Sequence, residues 1–267
     1  MKTNNNQDHD VPKDHPRYES LKYRHKIIEG MKKLIVTEAG LIAHGRGECF
    51  DYMLGEKTIE IAKEAIKAAI ALLYLAKYPV ISVNGNTAAL CPGKLVELSK
   101  IINAPLEINL FYRKEGRIEA IKKVLEDAGA ETILGIDETK MVEIEELSSN
   151  RRNIDPNGIK IADVVFVPLE DGDRTEALKK IGKKVIAVDL NPISRTSLWA
   201  DITIVDNIVR TVPEMIKIAN KLKNAEEKEL KNIINKFDNK NNIQVSLDTI
   251  IQYTRRQKKD AFKILKN

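Results

Sequence analysis

Residues 163–207 decide the fold, because they hold three short apolar runs: Val164-Val165-Phe166-Val167, Val185-Ile186-Ala187-Val188 and Ile202-Thr203-Ile204-Val205. Apolar runs without alternation suit strands buried on both faces, as in a parallel sheet with helices on each side. Each run stops at polar residues: Pro168-Leu169-Glu170-Asp171-Gly172-Asp173-Arg174, then Asp189-Leu190-Asn191-Pro192-Ile193-Ser194-Arg195, then Asp206-Asn207. In open sheets of this kind ligands sit outside the carboxyl ends of the strands. Carboxylates, carboxamides, a hydroxyl and arginines gathered there read as a nucleotide-binding edge, which narrows function to phosphate or ribose chemistry.

Outward from this stretch the pattern continues. Strands are expected at residues 80–83, 106–110 and 132–134, with helices at 95–102, 117–128 (Gly129 as its stop), 175–181 and 212–223. Such alternation argues for right-handed βαβ units and a doubly wound parallel α/β sheet. Further helices are expected at residues 15–33, entered through Pro16, and at 58–77, with Thr58 as N-cap and Ile61, Ala65, Ala68, Ala69, Leu72 and Leu73 on one face. Residues 39–49 read as a Gly-punctuated loop and residues 141–156 as an inserted, charged surface loop. Residues 225–267 read as more helix, interrupted around Asn239-Lys240-Asn241-Asn242. The expected organisation is a disordered tail (1–14), one α/β body (15–223) and a basic helical extension (224–267).

The 267 residues are 43% apolar and 31% charged, which suits a globular chain with a substantial core. The net charge of +5 resides in the last 47 residues, where 12 Lys/Arg face 6 Asp/Glu. The body is therefore no nucleic-acid platform, and the Lys-rich tail reads as a solvated helix face. Cys49 and Cys91 have no zinc spacing and are expected to be small buried side chains in a reducing cytoplasm. The N-terminus lacks an apolar signal core, and the most apolar helix contains Glu60, Lys63, Glu64 and Lys67, which excludes a membrane span.

Several residues are candidates for chemistry. In His44-Gly45-Arg46-Gly47-Glu48 two glycines flank an arginine, so backbone N–H groups can approach an anion while the guanidinium grips it; a tight turn with an exposed Arg46 is the competing reading. Asn84-Gly85-Asn86 follows a strand directly. Asn-Gly is also a hairpin signal, but a helix-like segment follows, which favours a ligand loop. Arg113 projects from the same edge. The acidic loop at 170–176 offers Asp171 and Asp173 to a magnesium ion, which takes one or two carboxylates together with substrate phosphates; a Gly turn with Asp173 or Thr175 as helix cap is the alternative. Asp189, Asn191, Ser194 and Arg195 make the strongest local case, with an acid at a strand end for ribose hydroxyls and a Ser-Arg pair for phosphate. Trp199 is either a base-stacking surface or a hydrophobic plug. His9, His15 and His25 show no ligand spacing. Neither a dinucleotide glycine fingerprint nor a P-loop is present, which disfavours a nicotinamide-dependent oxidoreductase.

An ordered set of motifs resembles the archaeal 4-phosphopantoate–β-alanine ligases, also called phosphopantothenate synthetases. It comprises His15-Pro16-Arg17-Tyr18, Tyr23-Arg24, Gly40-Leu41-Ile42-Ala43-His44-Gly45-Arg46-Gly47-Glu48, Val83-Asn84-Gly85-Asn86, the run from Glu107 to Arg113, the run from Val167 to Leu178, Asp189-Leu190-Asn191-Pro192 and the run from Ala200 to Asn207. The resemblance covers residues 12–222 and is loose at 137–156 and after Lys223. It implies a homodimeric cytoplasmic enzyme of coenzyme A synthesis with a Rossmann-like core, joining 4-phosphopantoate to β-alanine at the expense of ATP and releasing AMP and pyrophosphate. It also implies nucleotide contacts at Arg24, Arg46, Asp189, Leu190, Asn191, Ser194, Arg195, Asp206 and Asn207.

On this reading Arg46 stabilises the reacting phosphates with Mg2+, Gly45, Asn84, Gly85, Asn86 and Arg113 hold the acid substrate, and His44 or Glu48 takes the proton of the β-alanine amine. A non-catalytic nucleotide sensor whose basic C-terminal helices engage a partner is the alternative from a different class.

Overall fold

The computed structural model describes residues 11–15, 17–169 and 171–265. Residues 1–10, with His9, as well as Pro16 and Glu170, which enter the expectations above, lie outside the described residues. The chain runs α1 (Tyr18–Lys32), α2 (Glu38–Leu54), α3 (Glu60–Leu75), β1 (Pro79–Val83), α4 (Gly85–Leu90), α5 (Pro92–Ile102), β2 (Leu106–Ile108), α6 (Arg117–Asp127), β3 (Ile133–Leu134), β4 (Val142–Glu143), β5 (Asn153–Ile154), β6 (Val164–Pro168), α7 (Gly172–Lys180), β7 (Lys184–Val188), α8 (Arg195–Trp199), β8 (Ile202–Ile204), α9 (Ile208–Leu222), α10 (Glu227–Lys236) and α11 (Asn239–Ile264).

Six strands form one parallel sheet in the order β3-β2-β1-β6-β7-β8, with Val83 opposite Ile108, Ile81 opposite Phe166 and Val188 opposite Ile204. The chain builds outward from β1 in one direction, returns past it, and builds outward in the other. That is the doubly wound Rossmann order, and its switch point lies between β1 and β6. The apolar runs are strands because both faces are covered. Ile81, Val83, Phe166, Ile186 and Val188 enter one core, while Val80, Val165, Val167, Val185 and Ala187 enter the other. Each buried side chain of this size contributes about 1.5–3 kcal/mol.

Several local expectations are corrected. Residues 39–49 are not a loop but part of α2. Thr37 caps this helix, its hydroxyl accepting from the Gly40 N–H at 3.3 Å. Each helical glycine costs about 1 kcal/mol, but close approach explains Gly40. A Cβ on Gly40 would lie 2.5 Å from Asn86 Oδ1, whereas one on Gly47 would make an ordinary contact with Leu190 at 3.5 Å. Thr58 does not cap α3. Its hydroxyl donates to Asp206 at 2.6 Å, and Ile59 is the N-cap. Helix α3 exposes Glu60, Lys63, Glu64 and Lys67 in its first half but no residue from Ala68 onward, because α9, α10, α11 and β8 pack around it. Helix α9 starts at Ile208, four residues earlier than expected, with Asn207 as its cap and Pro213 inside it. Cys49 is exposed, whereas Cys91 is buried and its thiol is pushed up to about 12 by that burial.

The expected interruption at 239–242 is the first turn of α11. Its asparagines close the free edge of β8: Asn239 Oδ1 accepts from the Thr203 N–H (2.8 Å) and Asn242 Nδ2 donates to the Thr203 carbonyl (2.7 Å). An open strand edge otherwise presents unpaired backbone groups.

The 141–156 segment is not an idle surface loop either. It forms the antiparallel β4–β5 hairpin, with Ile144, Leu147 and Ile154 buried against the sheet. Strand β2 and the residue after it hold this segment in place. Asn109 donates to the Arg151 and Asn153 carbonyls, and the Glu107 carboxyl accepts from the Asp155 (3.0 Å) and Ile159 (2.6 Å) N–H groups. Glu107 is fully buried, and burial pushes its carboxyl up to about 7, opposed by those N–H groups and by the Arg174 charge. The folded chain therefore binds this proton more tightly than the unfolded chain. The stabilisation is complete below the open-chain value near 4.5 and is lost as pH rises through about 7, about 3 kcal/mol in all. Denaturant unfolding at pH 5 and pH 8 should show this loss, and Glu107→Gln should flatten it. An unchanged pH slope in the variant would remove Glu107 as its source.

Candidate active site

The switch point is built by a capped helix start and a strained strand end. Asn84 caps α4 in a capping box with Thr87, and its Nδ2 donates to the carbonyls of Pro168 (2.9 Å) and Leu169 (3.0 Å). The β1 and β6 ends are thereby tied together. Leu169 sits at φ +54°, a left-handed conformation costly for a branched side chain. Gly85 is required here, since a Cβ would lie 2.1 Å from the Ile35 carbonyl oxygen.

Two lobes open from this point. One, about 250 Å³, faces the β1 and β2 ends, and Arg46, Asn86, Arg117, Arg151 and Asp171 supply its main polar groups. The other, about 400 Å³, faces the β6, β7 and β8 ends and is lined by His44, Glu48, Asp189, Asn191, Ser194 and Asn207 among others. Helix α2 walls both. Ala43, Arg46, Asn86, Leu169 and Asp171 belong to both lobes and so mark the join. Arg46 is exposed and makes no hydrogen bond or ion pair with another described residue, which leaves its guanidinium for a ligand.

The β7 turn is preorganised. Asp189 accepts from the Asn191 N–H (2.9 Å) and from the Ser194 hydroxyl, while Ser194 caps α8. Burial pushes the Asp189 carboxyl up, opposed by these two hydrogen bonds and by the Arg46 charge. Arg46 and Asp189 line the same lobe. Leu190 is buried beneath α2 with Leu54, Ile59 and Ala62 and anchors the turn. Arg195 lines the lobe but pairs with Asp173 and with Glu176 (2.6 Å).

Other candidates are placed differently. The Gly45 and Gly47 amides lie inside a helix rather than in an anion nest, and a Cβ on Gly45 would meet nothing. Arg24 pairs with Glu48 through Nε at 2.8 Å and lines neither lobe. Arg113 also lines neither; it pairs with Glu138 at 3.1 Å. The Asp206 carboxylate is fully buried, accepting from Arg210 Nε (2.9 Å), Arg210 Nη2 (2.6 Å) and Thr58. Arg210 also grips Asp51 at 2.6 Å, and Asn207 donates to Asp51 at 2.8 Å. This network fastens α2 to the start of α9. Trp199 ends α8, is 40% exposed, and lies outside both lobe walls.

His44 lines the larger lobe. Burial, opposed by Glu48, pushes its imidazole below the ordinary value, so it is neutral at neutral pH. Magnesium takes few protein ligands when phosphates supply the rest. Asp171, on the join, and Asp173 are both already paired, with Arg151 (2.9 Å) and Arg195, and only Asp171 lines the lobes. Among the described residues no three metal-binding side chains gather.

Arg117 and Arg151 were not singled out in the sequence. Arg117, 5% exposed, donates to the carbonyls of Leu34 (3.3 Å), Ile35 (2.8 Å) and Tyr112. Arg151, 6% exposed, lies 2.9 Å from Asp171, Nε to Oδ2. The Arg151-Arg152 doublet between asparagines was the only local signal.

Fold and site together define a doubly wound α/β protein with a two-lobed, arginine-rich anion cleft at its switch point. The family model described as phosphopantothenate/pantothenate synthetase matches residues 61–253. A relative from Thermococcus kodakarensis, named 4-phosphopantoate–β-alanine ligase, is 57% identical over 230 residues, 86% of this chain and 87% of its own. Proteins of the same name from Methanosarcina mazei (48% over 244 residues, 91% and 95%) and Methanospirillum hungatei (45% over 212 residues, 79% and 86%) are also similar. The chain belongs to the phosphopantothenate/pantothenate synthetase family and is an enzyme, which sets aside the non-catalytic sensor. Among the described residues no helix is long and apolar enough to cross a membrane.

Proposed function

We propose that this enzyme condenses 4-phosphopantoate with β-alanine through an acyl adenylate, as a cytoplasmic homodimer. The observation that carries the reading is a cleft divided into two lobes that meet at an uncommitted arginine. The larger lobe, with Asp189, Asn191 and Ser194, suits ribose and phosphates, and the smaller, more cationic lobe suits an anionic acid.

The acid's carboxylate oxygen attacks the α-phosphorus of ATP. An O–P bond forms, the bond between the α-phosphorus and its bridging oxygen breaks, and diphosphate leaves. The amine of β-alanine then attacks the activated carbonyl; a C–N bond forms, the C–O bond to AMP breaks, and AMP leaves. Both steps depend on positioning and charge neutralisation. Arg46 at the join is placed for that task. Asp171 would help to hold Mg2+, which would supply further charge neutralisation at the phosphates. The amine must lose a proton before it attacks, since its ammonium titrates near 10, like lysine. The neutral His44 imidazole is the base best suited to receive it, with Glu48 four residues on.

Chromatography of a reaction containing ATP and both substrates should show AMP and the amide product formed in equal amounts, and none when either substrate is omitted. ADP and inorganic phosphate in place of AMP would overturn the adenylate route. Sizing by light scattering should give twice the 30.1 kDa chain mass.

A further inference from the structure

Helix α11 is anchored over its first half only. Asn239 and Asn242 close the β8 edge, Ile250 packs with Leu54, Ile59 and Leu190, and the Tyr253 ring covers Gly55, where a Cβ would lie 3.1 Å from it. Beyond Tyr253 the helix runs on to Ile264, about 16 Å further at 1.5 Å per residue, and residues 254–259, 261–263 and 265 are exposed. This arm begins where the family match, residues 61–253, ends. Arg255, Arg256, Lys258, Lys259 and Lys263 stand there against one carboxylate, Asp260, which pairs with Lys263 at 3.1 Å. Arg255, Lys259 and Lys263 follow one another at four-residue spacing, where like charges repel. A helical stretch this short is marginal in water without packing, and the repulsion weakens it further. A solvated face would be polar, yet an apolar line runs beside these cations. Ile251 (45% exposed), Phe262 (55%) and Leu265 (78%) lie within about 60° of arc, with Lys258 in the same row.

We propose that this arm docks on an anionic lipid surface and attaches the enzyme peripherally to a membrane. The cations require an anionic partner, and the apolar line requires one that takes up hydrocarbon. The headgroup and acyl boundary of a bilayer supplies both. Lys258, within the line, reaches the headgroups along its flexible stem. A second copy of the arm fits less well, because two like-charged helices repel along the seam. A nucleic acid satisfies the charges but leaves Phe262 and Leu265 in water. The arm rests on the surface and does not cross it: among the described residues no helix is long and apolar enough to span a membrane.

Co-sedimentation of the full chain with lipid vesicles tests this. Vesicles of phosphatidylglycerol and phosphatidylcholine in equal parts should bind it at least about tenfold more tightly than phosphatidylcholine alone, and added salt should release it. Lys258→Gln with Lys259→Gln should weaken binding about 25-fold, or about fivefold for each charge. Phe262→Ser with Leu265→Ser should weaken it about tenfold or more at constant charge. These side chains are exposed, so the melting temperature and the turnover of both variants in the absence of lipid should match the wild type. Equal binding to both kinds of vesicle, or undiminished binding after loss of Phe262 and Leu265, would overturn the proposal. Tighter binding of a labelled single-stranded RNA than of the anionic vesicles would overturn it in favour of a nucleic acid. A halved mass by light scattering for the Phe262→Ser, Leu265→Ser variant would overturn it in favour of a second copy of the chain.

Discussion

Replacing Arg46 by alanine should reduce turnover at least about 100-fold, the usual worth of one contact of about 3 kcal/mol to charge developing in a transition state. The argument is positional. Arg46 lines both lobes, shares the join with Asp171, and has no committed partner among the described residues. Its charge reaches the Asp189 turn, so a nucleotide held there lies within its field. Helix α2 should fold as before, because the side chain is exposed and alanine is the best helix former. Arg46→Lys should remain well below the wild type, since an ammonium cannot bridge two oxygens as a planar fork does. Steady-state kinetics with ATP and both substrates measure the effect, and a rate within a few-fold of wild type for Arg46→Ala would take this residue out of the chemistry.

Asp206→Ala should destabilise the chain by about 3 kcal/mol, at the lower end of the cost of breaking a buried ion pair. Asp206 has no exposed surface and receives four side-chain hydrogen bonds, two from Arg210, one from Thr58 and a long one from Thr211 (3.5 Å). Its loss leaves the Arg210 guanidinium with Asp51 alone and the Thr58 hydroxyl without this acceptor. The residual Arg210–Asp51 contact keeps the cost from being larger. Urea unfolding near neutral pH measures the difference, and a loss below about 1 kcal/mol would contradict a structural role. Because the same network holds α2, the variant should also show weakened substrate binding at temperatures where it remains folded.

The two residues differ in how far their roles are legible in the sequence. Arg46 announces itself by its position between glycines, although Gly45 and Gly47 lie within a helix rather than in an anion nest. The close approach of Gly40 to Asn86, which lets this helix pack, is long-range and leaves no mark on local propensity. A carboxylate at a strand end suggests a ligand, so Asp206 reads as part of the nucleotide site. The contrary signal is Arg210 four residues on, at the spacing that favours ion pairs on a helix. The sheet itself is readable, because strands buried on both faces leave unbroken apolar runs. The turn at Asp189 is readable for the same reason, lying where such a run stops. Arg117 and Arg151 are not, since Arg117 is held by the distant Leu34 and Ile35 carbonyls and Arg151 by Asn109 on the neighbouring strand end.

Helix α2 stands as a common wall between two compartments and carries one guanidinium serving both. Its far end is fastened by Asp51 to Arg210, and its middle rests on Leu190. Evolution of such an enzyme is constrained in a particular way. If the two lobes take acid and nucleotide as proposed, a substitution that reshapes this rod to accommodate a different acid also alters the seat of the nucleotide. Diversification of substrate choice is therefore freer in parts that touch only one compartment, and the hairpin bearing Arg151 is the clearest of these.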